Sequence, residues 1–281
     1  MAVLVDVMIP VFNGMPELRR SVQSVMNQSM KEWHCVVCDD GSTDGTADFL
    51  NELKNDERFT ILRNIRNMGR GVTRQRILEV CTAPYVCMLD AGDVMHPERL
   101  ERQVEFLEQN NEVGFVASGM LSFGTMSKLL RVRGFHNGQI ETYKRHGQVC
   151  FATSMFRRDV ARHEDVSFGE SRMCEDSFFL ERYARHNPKF FVIPMVLYYY
   201  NEFDNTSRLD VLKNYVYLVG VGLRIGSIGM VARNMAKMAV SMMELPFVPM
   251  ERRFARRGRE ATIDERAEYE RLFSESYKFT L

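Results

Sequence analysis

The sequence lacks an excess of charge of either sign, since 37 Lys and Arg residues balance 37 Asp and Glu residues over 281 positions. A balanced chain has no general attraction for nucleic acid, so any electrostatic function has to be local. The N-terminus lacks a cationic segment followed by an apolar core, because Asp6 interrupts the first apolar run, and we expect no secretory signal. Internal repeats and low-complexity linkers are also absent. With 45% hydrophobic and 26% charged residues, the chain has the composition of a globular protein with a substantial core.

Cysteine is scarce, and its pattern argues against disulfides and zinc. Most of the six cysteines lie inside apolar runs, which is typical of reduced thiols that serve as small core residues. Cys35 and Cys38 have the CxxC spacing of a zinc site, but the chain has no second CxxC. The odd offset would also direct them to opposite faces of a strand. We therefore predict no metal at these cysteines.

The last seventy residues lack an apolar run that could cross a membrane. The longest uncharged stretch there, from 214 to 223, is far shorter than the roughly 20 residues that a spanning helix needs. Between positions 213 and 259 this region contains nine Lys or Arg residues against two acidic ones, Glu244 and Glu251. Such a basic region favours contact with an anionic membrane surface.

One predicted helix in this region divides its residues between two faces. One face holds Arg233, Lys237, Ser241 and Glu244, and the methionines at 235, 238, 242 and 243 lie largely on the other. A methionine-rich face also suits packing onto the protein's own core or a dimer contact. Membrane contact and protein contact are equally compatible with this pattern.

From residue 3 to about 120, short Val/Ile/Leu-rich runs alternate with helical stretches. This alternation is typical of βαβ units, so we predict an α/β fold with a mostly parallel central sheet that is flanked by helices. Helices are expected from about Pro16, after Ser42-Thr43-Asp44, over 71–81 and from His96-Pro97-Glu98, and a third strand over 59–62. From 112 to 160 the pattern is strand-like and irregular.

Three predicted strands end in polar turns. These turns begin at Pro10, Asp39 and Asp90, and the second reads Asp39-Asp40-Gly41-Ser42-Thr43-Asp44-Gly45. Ligands of α/β proteins bind beyond the carboxyl ends of parallel strands. The three turns therefore predict a nucleotide pocket.

The turn residues suit recognition of a nucleobase. Pro10 and Val11 end a strand and offer backbone groups to a base edge, and Phe12 offers a ring on which a uracil-sized base can stack. Phe12 as an ordinary core residue is the alternative. Asp39 can accept a hydrogen bond from a pyrimidine imide, whereas Asp40 fits the requirements of the turn itself.

Five motifs, in this order along the chain, resemble those of family 2 glycosyltransferases. They are Ile9-Pro10-Val11-Phe12-Asn13, Asp39-Asp40-Gly41-Ser42-Thr43-Asp44-Gly45, Asn67-Met68-Gly69 with Arg74, Leu89-Asp90-Ala91-Gly92-Asp93, and Glu175-Asp176. The resemblance covers residues 3 to 205 and implies a GT-A fold, which is Rossmann-like and binds nucleotide-diphospho-sugars. It implies a catalytic domain over 1–208, with a nucleotide-binding half (1–110) and an acceptor half (111–208). Residues 209–281 then form a helical, basic, Met-rich extension.

The resemblance also implies roles for individual residues. Donor contacts fall to Pro10, Val11, Phe12, Asn13, Asp39, Arg74, Asp90 and Glu175. Asp176 is the implied general base, which takes the proton from an acceptor hydroxyl as it attacks the anomeric carbon. From the residue types alone, Arg74 could equally be a solvated helix arginine, and Glu175 an acid placed by the helix dipole.

Asp90 and Asp93 occupy the motif that holds Mn²⁺ or Mg²⁺ against the donor diphosphate in this family. Carboxylates suit such hard cations. Two positions depart from the family pattern: Gly92 stands at the second acidic position, and Phe203 stands where a histidine is common. Asp93 could substitute if the loop shifts, and Glu202 and Asp204 are nearby acids. The departures put the cation in doubt.

The resemblance predicts an inverting hexosyl- or N-acetylhexosaminyltransferase that uses a UDP-sugar and a saccharide or lipid-linked saccharide acceptor. A catalytically impaired nucleotide-sugar or glycan-binding protein of the same fold is the first alternative, since Gly92 and Phe203 depart from the pattern. A nucleotidyltransferase is the second, although the turn after Pro10 lacks the basic, Gly-rich character such enzymes need. We expect a cytoplasmic location, with a peripheral membrane contact or a homodimer through the extension.

Overall fold

The computed structural model describes residues 2–124, 127–136, 138–144, 148–171, 173–202, 208–224, 228–244, 252 and 255–276. The chain divides into two compact units. The first contains Met1–Leu121, Arg133–Tyr200 and Thr262–Leu281, and the second contains Ser122–Val132 and Asn201–Ala261. The last helix of the chain belongs to the first unit, so these units do not follow the predicted boundary at residue 208. That domain boundary stays a prediction.

The strands are β1 (Val5–Val11), β2 (Trp33–Asp39), β3 (Phe59–Arg63), β4 (Tyr85–Met88), β5 (Val94–Met95), β6 (Phe115–Gly124), β7 (Ser127–Arg133), β8 (Glu141–Thr142), β9 (Met155–Arg157), β10 (Lys189–Asn201) and β11 (Arg259–Glu260). The α-helices are α1 (Leu18–Met26), α2 (Thr46–Leu53), α3 (Arg70–Val80), α4 (Arg99–Gln109), α5 (Arg158–Ala161), α6 (Glu175–His186), α7 (Arg208–Arg224), α8 (Ile228–Glu244) and α9 (Ile263–Ser276).

The sheet of the first unit is parallel at one side and antiparallel at the other. Its strands follow the order β6-β9-β4-β1-β2-β3, and β10 pairs with β5, β6 and β8. The pairs β1–β2, β1–β4 and β2–β3 are parallel, whereas β9 runs antiparallel to β4 and β6. Hence the βαβ pattern of the first hundred residues produces the parallel part, and the irregular region after residue 112 adds the antiparallel part.

Apolar cores cover both faces of this sheet. Alternate residues of β1 enter different cores: Val7 and Ile9 belong to one cluster, and Met8 belongs to the other. Strands buried on both faces read as continuous apolar runs, which explains the composition of β1 and β2. Cys35 and Cys38 also lie in different clusters, as their odd spacing predicts. All six cysteines are free thiols.

The second unit is built from helices and a small antiparallel ladder. Arg259 pairs with Val132, which joins β11 to β7, and α7 and α8 pack against each other. None of the helices in the described residues has both the length and the apolarity needed to cross a membrane.

Candidate active site

The loops that follow β1 and β2 are hydrogen-bonded to each other. The backbone N–H of Asn13 donates to Ser42 Oγ at 2.8 Å, and the Asn13 side-chain oxygen accepts from the N–H of Thr43 at 2.8 Å. Asp44 accepts from the N–H groups of Met15 and Thr46. Asn13 and Asp44 therefore brace the two strand-end loops. The structure assigns Asn13 this internal role, and its donor contact stays a prediction.

Asp39 is the buried acid at the end of β2, with 2% of the residue exposed. Its Oδ1 accepts from the N–H of Ser42 at 2.8 Å. Its Oδ2 lies 3.2 Å from Arg63 Nε but receives no hydrogen bond of good geometry from the described part of the chain. A buried carboxylate oxygen without a donor is costly, so this atom is suited to accept a hydrogen bond from a ligand.

Asp40, the next residue, serves the protein itself. Its Oδ1 accepts from Asn64 Nδ2 at 2.7 Å and from the N–H of Met68 at 2.8 Å, and its Oδ2 accepts from the N–H of Gly69 at 2.9 Å. These bonds hold the loop that leads into α3. Asp40 thus serves the loop before α3, whereas the sequence suggests a role within its own turn.

Phe12 lies outside the core, because 46% of the residue is exposed. Pro10 is half-buried and Val11 is buried. The carbonyl of Val11 accepts from the N–H of Asp40 at 2.8 Å, so this group is already used within the protein. The exposed ring of Phe12 keeps the stacking prediction open and excludes the alternative that it is core.

Arg74 is buried and connects two acidic motifs. Its Nη1 donates to Glu175 Oε1 at 2.6 Å and its Nη2 donates to Asp90 Oδ1 at 2.6 Å. Burial lowers the pKa of the guanidinium, but the charges of Asp90, Glu175 and Asp176 outweigh burial and raise this pKa above its usual value. Arg74 is thus a permanent buried cation and not the solvated helix arginine of the alternative.

The two carboxylates of this network have opposite pKa shifts. Burial favours the neutral form of Asp90, yet Arg74 and Arg70 outweigh burial and lower its pKa. Burial raises the pKa of Glu175, and Arg74 only partly opposes this. Asp90 is therefore held as an anion, whereas Glu175 is the carboxyl that is easier to protonate.

Asp176 follows Glu175 in the first turn of α6. The helix begins after Cys174, whose φ of 56° is left-handed. Asp176 is half-buried, and its Oδ1 accepts from the N–H and the Oγ of Ser177 at 2.8 and 3.2 Å. The Arg74–Glu175 bond thus anchors the start of α6, with Asp176 beside it.

A close backbone approach joins the start of α3 to the segment before α6. A Cβ on Gly71 would lie 2.5 Å from the carbonyl oxygen of Gly169 and 2.6 Å from that of Ser171. The N–H of Gly71 also donates to Ser171. Only glycine fits this position, and the contact brings α3 and α6 to the same end of the sheet.

The two acids predicted to hold a divalent cation are both engaged within the protein, Asp93 by Tyr198 and Asp90 through one of its oxygens. Asp93 is 1% exposed, and its Oδ2 accepts from the Tyr198 hydroxyl at 2.5 Å. Asp90 is partly exposed, but Arg74 occupies its Oδ1. Gly92 contributes no carboxylate, and within the described residues no three His, Cys, Asp or Glu side chains are grouped as a metal site. Cation binding by Asp90 and Asp93 stays a prediction.

Residues outside the predicted motifs position this loop. The N–H of Asp90 donates to the Tyr198 hydroxyl at 3.2 Å, and Ser21 and Arg20 bond to the backbone of Gly92. Tyr198 lies in an aromatic run that reads simply as core, so only its partners reveal its role. Arg70 is exposed at the start of α3 and acts electrostatically on both Asp90 and Glu175.

Of the remaining predicted acids, Glu202 is buried and forms an ion pair with Arg257. It is therefore not the solvated loop acid that residue type alone suggests. Phe203 and Asp204 lie outside the described residues.

Relatives named as glycosyltransferases match parts of this chain. The "Putative glycosyltransferase EpsE" of Bacillus subtilis (strain 168) is 33% identical over 121 residues, or 42% of this chain and 44% of that protein. The poly(ribitol-phosphate) beta-N-acetylglucosaminyltransferase TarP of Staphylococcus aureus (strain N315) is 27% identical over 224 residues, or 75% of this chain and 67% of TarP. The match to EpsE thus spans less than half of that relative.

Solved structures share the fold over almost the whole chain. Residues 1–349 of S. aureus TarS in complex with UDP-GlcNAc superpose with a TM-score of 0.62 at 16% identity, covering 97% of this chain and 80% of that one. The mannosyltransferase PcManGT of Pyrobaculum calidifontis, in complex with GDP-Man and Mn²⁺, gives 0.61 at 15% identity, covering 100% and 77%. These likenesses confirm the predicted GT-A fold. The sequence model of glycosyl transferase family 2 matches residues 6–164, more than half of the chain, and the chain therefore belongs to that family.

Proposed function

We propose that this protein is an inverting glycosyltransferase that moves a sugar from a nucleotide-diphosphate donor to a hydroxyl of a saccharide or lipid-linked saccharide. Asp176 is the general base in this proposal, and UDP is the nucleotide. One observation carries the proposal: Arg74 joins Asp90, at the end of a parallel strand, to Glu175, the neighbour of Asp176. Nucleotide-facing and acceptor-facing motifs are thereby brought to one place.

The donor half of the proposal is supported by Asp39 and Phe12. Asp39 Oδ2 needs a donor, which the imide N–H of uracil would provide, and the exposed Phe12 ring suits base stacking. TarS was solved with UDP-GlcNAc, which agrees with this nucleotide, whereas PcManGT was solved with GDP-Man. A GDP-sugar is therefore the alternative donor.

The chemical half depends on proton removal at the acceptor. A carboxylate that contacts the attacking hydroxyl takes its proton as the new bond to the anomeric carbon forms, and the nucleotide diphosphate leaves from the opposite face. This single displacement inverts the anomeric configuration. Asp176 is suited to the task because it is half-buried at a helix start and because Glu175, not Asp176, holds the Arg74 bond.

The leaving diphosphate needs a positive partner. Arg70 is exposed and close enough to lower the pKa of Asp90, so it is the side chain that we assign to the diphosphate. Arg74 donates from both of its outer nitrogens to carboxylates, so we assign it to holding the two acidic motifs together, and its donor contact stays a prediction. No step in this proposal passes through a metal ion, and cation binding at Asp90 is a separate prediction that titration with Mn²⁺ tests.

A nucleotide-sugar or glycan-binding protein without turnover remains the second candidate, favoured by Gly92 in place of an acid. The family match disfavours a nucleotidyltransferase. Binding of a nucleotide-sugar requires no general base, so the position of Asp176 beside the Arg74 network favours the transferase. Turnover decides between the two candidates.

The proposal is tested by titrating the protein with UDP in a calorimeter, with Mn²⁺ and with a chelator, and by measuring hydrolysis of UDP-sugars. Asp176→Asn is expected to reduce turnover by about 10²–10⁴-fold while UDP affinity changes little, since a general base acts only in the chemical step. Asp165→Asn, at an acid that pairs with His186 outside the proposed site, is the matched control. If Asp176→Asn retained turnover, Asp176 would not be the general base. If the wild type bound UDP without turnover, the result would favour the binding protein.

A further inference from the structure

The helix α8 has its polar and apolar residues on unexpected sides. Ser241 is fully buried and Asn234, two turns earlier, is 7% exposed. In contrast, Ile228 is 84% exposed and Met243 is 67% exposed. Met235, Val240 and Met242 are exposed as well. A helix on the outside of a globular unit normally has the reverse arrangement.

The four methionines of the predicted methionine face differ in exposure. Met235, Met242 and Met243 are exposed and do not cover the core of the unit, whereas Met238 is half-buried. Ser241, which the sequence assigns to the charged face, is buried. Arg233 and Lys237 are exposed, as the sequence predicts, and they flank the apolar residues.

The helix α7 exposes a second apolar row. Leu209, Val216 and Leu223 recur every seven residues, so they lie along one side of the helix, and all three are exposed. Lys213 is an exposed cation between the first two. Exposed apolar rows of this size on two packed helices indicate an interaction surface. We call the exposed apolar residues of α7 and α8 the apolar rows.

The charge of the region selects the partner. Helices α7 and α8 together contain five Lys or Arg residues and two acids, Asp210 and Glu244, so cations are in excess by three. Glu244 is already paired with Arg256. An anionic partner therefore complements the charge around the apolar rows. A second copy of this surface would place one excess of cations against another, which disfavours a symmetric dimer.

We propose that the apolar rows of α7 and α8 dock on the surface of an anionic lipid bilayer. The apolar side chains enter the boundary between headgroups and acyl chains, and the neighbouring Lys and Arg side chains meet the lipid phosphates. Each helix has 17 residues, which gives a length of about 25 Å and is too short to span a bilayer core of about 30 Å. The helices therefore lie along the surface.

Docking has a use for catalysis only if the acceptor is lipid-linked, and that part rests on the proposed function. The docking itself depends on no donor, acceptor or turnover. A binding measurement can therefore fail or succeed independently of the transferase assay.

The test is cosedimentation of the full chain with vesicles of phosphatidylcholine alone or with about one quarter phosphatidylglycerol. The wild type should bind only the anionic vesicles. Its affinity for these vesicles should fall by about tenfold or more when NaCl rises from about 0.05 M to about 0.5 M. The double variant Met235→Glu, Met242→Glu should lower binding by about tenfold or more, because two carboxylates then face the lipid. Both positions are exposed, and an unchanged melting temperature confirms that the variant folds.

Ile263→Glu is the matched control, since Ile263 is 87% exposed on α9 outside the apolar rows, and its binding should equal that of the wild type. Lys213→Glu with Lys237→Glu should lose binding at low salt without introducing a charge in the apolar rows. Wild-type protein that stays in the supernatant at low salt would overturn the proposal. An equal loss of vesicle binding in Ile263→Glu would also overturn it. So would a wild-type dimer in light scattering that the Met235→Glu, Met242→Glu variant converts to a monomer while vesicle binding persists. UDP calorimetry on the same variants reports separately on the transferase proposal.

Discussion

Arg74 and Glu175 are 101 positions apart in the chain and form a buried ion pair, with Nη1 of the arginine 2.6 Å from Oε1 of the glutamate. The other outer nitrogen of the same guanidinium bonds to Asp90. One planar, permanently charged group thus fixes a strand-end loop against the start of a helix. Lysine has a single ammonium and cannot reproduce both bonds in this geometry.

Replacement of Arg74 by alanine should therefore damage both stability and turnover. The change leaves the buried carboxylate of Glu175 and the partly exposed carboxylate of Asp90 without their cation, and we expect the free energy of unfolding to fall by about 3 kcal/mol. Urea unfolding measures this loss. Arg74→Lys should keep part of the stability but lower kcat by about tenfold or more, because α6 and Asp176 lose their fixed position.

The double variant Arg74→Met, Glu175→Leu separates the two effects. It removes the buried charge of Glu175 together with its partner, so it should recover part of the stability lost in Arg74→Ala. Turnover should not recover. If kcat returned with stability, the network would be needed only for folding.

Asp39 and Asp40 are adjacent buried acids whose replacement should affect different properties, namely UDP affinity for Asp39 and thermal stability for Asp40. Asp39→Asn should lower UDP affinity by about tenfold, since the amide no longer offers a charged acceptor to the base. Asp40→Asn should mainly lower the melting temperature, because Asp40 accepts three hydrogen bonds from the loop before α3. Calorimetry and thermal melting of both variants provide the comparison. Equal loss of affinity in the two would contradict a specific base contact at Asp39.

Arg70 should distinguish nucleotides that carry a diphosphate from those that do not. Arg70→Gln is expected to weaken UDP binding by about three- to tenfold, because an exposed cation contributes modestly, and to leave uridine binding unchanged. Arg102→Gln, at an exposed arginine that pairs with Glu98 on α4, is the control. A similar loss for uridine would mean that Arg70 acts on the fold of the loop.

Buried thiols predict a loss of stability at alkaline pH. Burial raises the pKa of Cys38 to about 12, against about 8.5 in the unfolded chain. The raised pKa means that the stabilisation is complete below about pH 8.5 and is lost as pH rises toward 12, at about 1.4 kcal/mol per pH unit.

Between about pH 8 and about pH 10, the free energy of unfolding of Cys38→Ala should therefore fall by about 2 kcal/mol less than that of the wild type. Urea unfolding at the two pH values measures this difference. Cys150→Ala offers a comparison, since burial raises the pKa of that thiol to about 11. An unchanged pH dependence in Cys38→Ala would show that this thiol does not ionise on unfolding.

Local pattern was sufficient for much of the fold and for the place of the site. Helix α3 (Arg70–Val80) lies within one residue of its predicted bounds, and α4 begins at Arg99, directly after the predicted start at His96-Pro97-Glu98. Periodicity and proline placement act over short distances, which explains this agreement. The polar ends of β1, β2 and β4 identify the edge of the sheet where the loops meet. The antiparallel strands after residue 112 were not resolved by pattern, since their pairing depends on distant partners.

Sequence alone determined that acids and an arginine lie at strand and helix ends, and that the C-terminal region is basic and rich in methionine. Tertiary structure decided which of them are used internally: Asp40 bonds to the loop before α3, Asp93 bonds to Tyr198, and Arg74 pairs with Asp90 and Glu175. It also decided that Met235, Met242 and Met243 of α8 are exposed. The physical reason is that a buried polar group must find a partner wherever packing supplies one, and that partner can lie a hundred residues away.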